Sequence, residues 1–173
     1  MGFGRVAWTK GRSEGGFALR GAAAMFLLGP AAIHFAVAPE HLVAYLPYGL
    51  FFCLLGTAQL ALAGGILLRP SPALLLGGAG MTVLVVAVWL LSRTAGMPFG
   101  PFAGQPEPVG LPDLLATCME CAAAGLLVIA DFRLDSSREF RLLSAVPGLA
   151  VSMMLSVAMT LVGLAAVATA VTN

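Results

Sequence analysis

The chain has 173 residues, 60% of them hydrophobic and only 10% charged, with a mean hydropathy of +0.97. A soluble domain carries about a quarter charged residues, so this chain cannot cover its own surface with polar groups and belongs in lipid. A net charge of +1 offers no field for nucleic acid, and three cysteines, all inside apolar runs, argue against a secreted disulfide framework.

Residues 1–16 are small and polar with Arg5, Lys10 and Arg12, the composition of a loose cytoplasmic tail. Val6 stands where a myristoylation signal needs Ser or Thr, which removes that reading of the start. Gly21 to Ala38 forms the first predicted span. Its end, Ala36-Val37-Ala38, imitates a signal-peptidase site, but Pro39 would directly follow the cut, so the segment reads as a retained helix. Pro39 suits the first turn of a new helix, where its missing N–H is not needed. A short interfacial helix is therefore expected over Pro39 to Leu46, with Tyr45 and Tyr48 at headgroup depth.

The second span is expected over 48–68, closed by Arg69-Pro70-Ser71-Pro72, and the third over 73–91. Residues 94–112 contain Pro98, Pro101, Pro106, Pro108 and Pro112 and form neither helix nor ladder, so they belong outside the hydrocarbon or in a protein-lined cavity. The fourth span is expected over 113–130. A charged turn follows, in which Ser136 and Glu139 have capping-box spacing, and a last span covers 142–171. Each run is long enough to cross a hydrocarbon core of ~30 Å at ~1.5 Å per residue. The expected fold is all-α: one polytopic bundle over 17–173, with five transmembrane helices plus the interfacial helix. The 94–112 loop is expected to fold over the ends of helices one and four.

Orientation follows from the basic residues. Arg5, Lys10, Arg12, Arg20, Arg69, Arg133, Arg138 and Arg141 fall on one side of a five-span arrangement, and only Arg93 falls on the other. The positive-inside rule then puts the N-terminus in the cytoplasm and the C-terminus outside. Basic residues drawn almost wholly from Arg, with abundant Ala and Gly, suggest a GC-rich bacterial genome and hence the bacterial cytoplasmic (inner) membrane.

In that arrangement His34, Glu40, His41, Arg93, Glu107, Asp113 and Glu120 all belong to the outer half. His34 and Glu120 lie inside spans at similar depth. A carboxylate at a helix centre costs ~2.5–3.5 kcal/mol on insertion scales, so Glu120 is expected to face the bundle interior and to meet His34. Asp113, Thr117 and Glu120 share a helical face by their spacing. His34, His41, Glu40, Asp113 and Glu120 thus form a candidate outward-facing metal site, imidazole plus carboxylate suiting zinc, copper or iron. A haem on His34 would need a Met or another chain for its second ligand. The bland alternatives are a structural His34–Glu120 pair, helix N-terminal carboxylates at Asp113 and Glu40 favoured by the dipole, and a solvated His41. Cys118 and Cys121 flank Glu120 but lack the βαβ setting of a redox C-x-x-C. Gly148, Ser152, Ser156 and Thr160 recur every four residues and form a small-residue ridge for packing within the bundle or against a partner. Gly77-Gly78-Ala79-Gly80 is read as a close helix contact. No catalytic signature stands out.

Pro39-Glu40-His41, Tyr48-Gly49, Trp89 to Thr94 and Glu107-Pro108-Val109-Gly110 resemble segments of small actinobacterial integral membrane proteins of unassigned function, over about the middle half of the chain. The core also loosely resembles DoxX-type membrane proteins. The resemblance implies a small helical membrane protein and carries no activity. The leading expectation is a non-catalytic accessory or structural subunit, in a homo-oligomer or a larger membrane complex. The alternatives are a metal- or haem-binding redox or uptake protein using the His/carboxylate cluster, and a proton-coupled carrier with Glu120 as its titrating group.

Overall fold

The computed structural model describes residues 4–135 and 145–172 of the chain, and among them every regular element is an α-helix. In chain order these are α1 (Gly4–Ala44), α2 (Leu46–Leu68), α3 (Pro72–Thr94), α4 (Leu111–Asp135) and α5 (Ala145–Thr172). Four are long and apolar enough to cross a membrane: the 16–44 part of α1, all of α2 and α3, and the 111–132 part of α4. In α5 the described apolar stretch is shorter, Met154–Thr169. The chain is thus a helical, membrane-type bundle.

Helix α1 is its axis. It packs along α2, α4 and α5, whereas α3 leans on α4 and meets α2 only weakly. The core joins Ala23, Phe26 and Leu27 of α1 to Leu62 and Ile66 of α2, Leu75 of α3, and Met119, Ala123 and Leu127 of α4. In lipid, helices gain little from burying apolar surface, so close van der Waals approach holds them together and small residues permit it. Gly29 is the tightest such point: a Cβ there would lie 1.8 Å from Met119 Cε and 2.5 Å from Thr160 Oγ1, where α1, α4 and α5 converge.

The α1–α5 contacts also give direction. Ser156 Oγ donates to the Met25 carbonyl at 2.8 Å, Thr160 abuts Gly29, and Gly163 abuts Ile33. Both series rise together, so α5 runs parallel to α1. Met25 precedes the Phe26 carbonyl, which Pro30 deprives of its helical donor. The Ser156 hydroxyl therefore supports α1 where its ladder is weakest, as neighbouring Ser and Thr do for prolines within membranes. Ser156 and Thr160 of the small-residue ridge are thus used inside the chain. Ser152 is half-buried on the same helix, and the surroundings of Gly148 lie outside the described residues.

Several expectations need correction. The helix of α1 includes residues 4–16, expected as a loose tail; extending an existing helix adds one bond per residue fixed, without a new nucleus. No separate interfacial helix follows the first span. Pro39 lies inside α1, which continues to Ala44, and Tyr45 alone separates it from α2. Pro39 withdraws a single donor near the helix end, whereas leaving the helix there would free several groups at once. The α1–α2 corner closes because Gly49 lies against Leu42, where a Cβ would come within 2.5 Å of backbone. Of the glycines in α3, only Gly78 makes the close contact expected, against Leu62; Gly77 and Gly80 have open space beside them. The capping box at Ser136 lies outside the described residues.

Helix α3 begins on Ser71, whose hydroxyl accepts from Leu74 N at 3.2 Å ahead of Pro72. It ends at Thr94, where the N–H groups of Ala95 and Gly96 both return to the Leu91 carbonyl at 3.0 Å, and Gly96, at a φ of +77°, then turns the chain away. The 95–110 connection is non-helical, as expected, but its anchors lie on α2 and α3. Tyr48 Oη donates to the Phe99 carbonyl, and Glu107 N–H donates to the Ser92 carbonyl at 3.0 Å.

Candidate functional site

At the end of the bundle beneath the 95–110 connection, α1, α2, α3 and α4 surround a cavity of about 220 Å³. Its walls are mainly apolar, from Ile33 and Val37 of α1, Leu55 of α2, and Val85 and Val88 of α3. Polar groups gather at two places, one deep and one beneath the connection.

The deep group is a chain of three side chains from three helices. Gln59 of α2 donates through Nε2 to Glu120 Oε1 of α4 at 2.8 Å, and its Oε1 accepts from His34 Nδ1 of α1 at 3.0 Å. Gln59 is 0% exposed, Glu120 1% and His34 6%, so bulk water does not satisfy them. His34 Nε2 stands 3.8 Å from Glu120 Oε1, too far for a hydrogen bond. The two expected partners therefore meet mainly through the amide between them. An amide oxygen can face only a donor and an amide NH₂ only an acceptor. Oriented this way, Gln59 requires the His34 proton on Nδ1, which turns Nε2 of the neutral ring towards Glu120. With the amide reversed, His34 would present a bare Nδ1 and keep its proton on Nε2, and Glu120 would have to take up a further proton to donate to the amide oxygen. Gln59 thus couples the protonation of its two neighbours.

The second group centres on Arg93, near the end of α3. Its Nε and Nη2 reach Asp113 Oδ2 at 3.0 and 2.7 Å, and Nη1 binds Glu107 of the connection. Trp89 Nε1 donates to the same Asp113 oxygen at 2.8 Å. Asp113 lies in the first turn of α4, where a carboxylate also favours the helix dipole, so the bland expectation for it holds beside this network.

Between the two groups, Phe52 of α2 links the histidines. Its ring lies 4.5 Å from that of His41, edge-on, and 5.6 Å from that of His34. Because α1 continues through Pro39, both histidines present one face to Phe52. His41 Nδ1 also bonds the Val37 carbonyl at 2.9 Å.

Of the residues proposed from the sequence, His34, His41, Asp113, Thr117 and Glu120 all line the cavity. Glu40 is exposed and takes no part in the lining. Cys118 and Cys121 are exposed on α4. Among the described residues no three His, Cys, Asp or Glu side chains stand close enough to hold a metal ion; Asp113 is engaged by Arg93 and Trp89, away from Glu120. In the sequence Gln59 and Phe52 carry no expected role, and Trp89 figures only within the resembling segment Trp89 to Thr94. The available signal was Gln59 itself, an amide in the middle of an otherwise apolar second span.

Comparison with protein-family models, curated proteins and solved structures finds no match to this chain.

Proposed function

We propose that this is a small-molecule-binding protein of the bacterial inner membrane, whose cavity takes a ligand and links its binding to a proton held by His34, Gln59 and Glu120. The observation that carries this is a hydrogen-bonded polar chain, buried at mid-helix on three helices, bordering a cavity of about 220 Å³. Protein interiors pack to a density of about 0.75, and ionisable groups inside membranes mark substrate or proton pathways. A scaffold could use such a chain to tie its helices together, but it would not need the unfilled space beside it. Ligand at Glu120 alters what that carboxyl and Gln59 can bond to, and therefore whether the carboxyl keeps or releases a proton.

In this proposal all five helices cross the bilayer, with the N-terminus inside and the cavity in the outer half. Two features support that: the basic residues fall almost wholly on one side, and α5 runs parallel to α1, as a fifth crossing requires. Its 28 residues correspond to ~42 Å of helix. Subunit assembly through α5 is the second role, but Ser156 and Thr160 of its small-residue ridge are taken up against α1.

The test is native mass spectrometry of the chain released from its own membrane, paired with a pH-indicator measurement of proton exchange on binding. A retained small molecule, lost in Val88→Trp, with proton exchange abolished in Glu120→Gln, supports the proposal. A chain that carries no small molecule and co-purifies stoichiometrically with other membrane subunits returns the assembly role to first place.

A further inference from the structure

We infer that the ligand of this cavity is a small lipophilic amine, bound as its cation and admitted from the bilayer between α2 and α3. The inference rests on the ligand-binding role just proposed and names its chemical class.

Charge comes first. Three carboxyl groups line the cavity, on Glu107, Asp113 and Glu120, against one guanidinium, on Arg93. Arg93 is committed to Asp113 and Glu107. Among the described residues Glu120 has no Lys or Arg beside it, only Gln59 and, farther off, His34. The remaining lining titratable groups are His34, His41 and Tyr48, of which His41 bonds its own helix and Tyr48 the Phe99 carbonyl. An anion entering this space would find its one cation already neutralised and a carboxyl at the end of its path. A cation would find an acceptor of opposite charge in a poorly hydrated site, where charge-assisted hydrogen bonds are strong.

The walls agree. Tyr48, Phe51, Phe52 and Trp89 supply aromatic faces and edges around the cavity, and such faces attract desolvated cations. The volume of about 220 Å³ exceeds the ~150 Å³ of an apolar cavity that holds benzene. One ring with a short aminoalkyl arm fits.

Access follows from helix arrangement. Helices α2 and α3 are joined by a tight turn and touch close to it, at Gly65 against Leu74 and at Leu62 against Gly78. The two helices touch at few points in all, and the cavity lies between Phe51, Phe52 and Leu55 of α2 and Val85 and Val88 of α3. Phe51 is exposed at the rim. In this proposal the sparsely packed seam between α2 and α3 is the entrance, and a molecule that partitions into the bilayer would reach Glu120 through it without passing the Arg93 network.

The test uses three probes with one skeleton: 2-phenylethylamine, 2-phenylethanol and phenylacetate. Each is measured at neutral pH by equilibrium dialysis against the protein in lipid nanodiscs, with empty nanodiscs subtracted. The expected result is that the amine binds about tenfold tighter than the alcohol and that phenylacetate does not bind. Glu120→Gln should bind the alcohol as before and lose the preference for the amine. Phe52→Leu, which leaves the polar chain intact, should weaken the amine more than the alcohol. Alcohol or phenylacetate binding as tightly as the amine overturns the cation assignment but leaves the ligand-binding role standing, as does a preference that survives Glu120→Gln. Absence of binding by all three overturns the amine assignment, and the ligand-binding role then stands or falls on whether the chain carries a small molecule from its own membrane.

Discussion

Gly29 lies where the methyl end of Met119 occupies the space a Cβ would need. The crossing of α1 with α4 is therefore set by the absence of a side chain on one helix and the presence of a flexible one on the other. Gly29→Ala should destabilise the bundle by about 1–3 kcal/mol through overpacking, read as a lower SDS-denaturation midpoint. Met119→Ala in the same chain should restore part of the loss. Gly77→Ala, at a site with open space beside it, should be neutral or stabilising, by up to ~1 kcal/mol from helix propensity. Equal effects at the two glycines would contradict this packing.

Gln59 should matter more to stability than its neutrality suggests. Gln59→Leu leaves both Glu120 and His34 without their shared partner, at about 1–3 kcal/mol for each orphaned group. Replacing all three by Leu removes every orphan and should recover most of the stability, since a matched apolar substitution can be nearly neutral. Ligand binding should be lost in both proteins. A single Gln59→Leu substitution with an unchanged denaturation midpoint would show that the amide bridges nothing.

At the cavity's other end, Arg93→Lys keeps the charge but loses the planar fork that serves Asp113 and Glu107 together. Limited proteolysis of the 95–110 connection should be several-fold faster in Arg93→Lys and faster still in Arg93→Ala. High salt should accelerate cleavage of the wild type less than either substitution does, because Arg93 is largely buried. Identical cleavage rates in all three proteins would remove Arg93 as the anchor.

The proposed topology has its own check. With the native cysteines replaced, Gly104→Cys should react with a membrane-impermeant maleimide on intact cells, and Arg69→Cys only after the cells are opened. A phosphatase fused after Asn173 should be active, as expected for an external C-terminus. Labelling of Arg69→Cys from outside would invert the orientation.

Much of this was readable in the sequence, for reasons that differ by region. Long apolar runs broken at Arg69-Pro70-Ser71-Pro72 and at the Pro/Gly-rich connection located the helices, because lipid leaves the backbone few other ways to satisfy itself. The meeting of Glu120 with His34 was foreseeable from the cost of a lone carboxyl in hydrocarbon. Gln59 stands out as an amide in the second span, but its partners do not, because the rest of α2 gives no periodic clue to which face turns inward. The end of α1 was misjudged because Pro39 reads as a start and lies instead within a helix that carries on past it. The anchoring of the connection to Tyr48 and Ser92 depends on pairings distant in sequence that no local pattern encodes.

Because α3 is held along α4 and barely touches α2, the seam between α2 and α3 is the line along which this bundle parts at least cost. Guests of differing girth would widen that one seam while the α1–α2 and α1–α4 contacts stay shut.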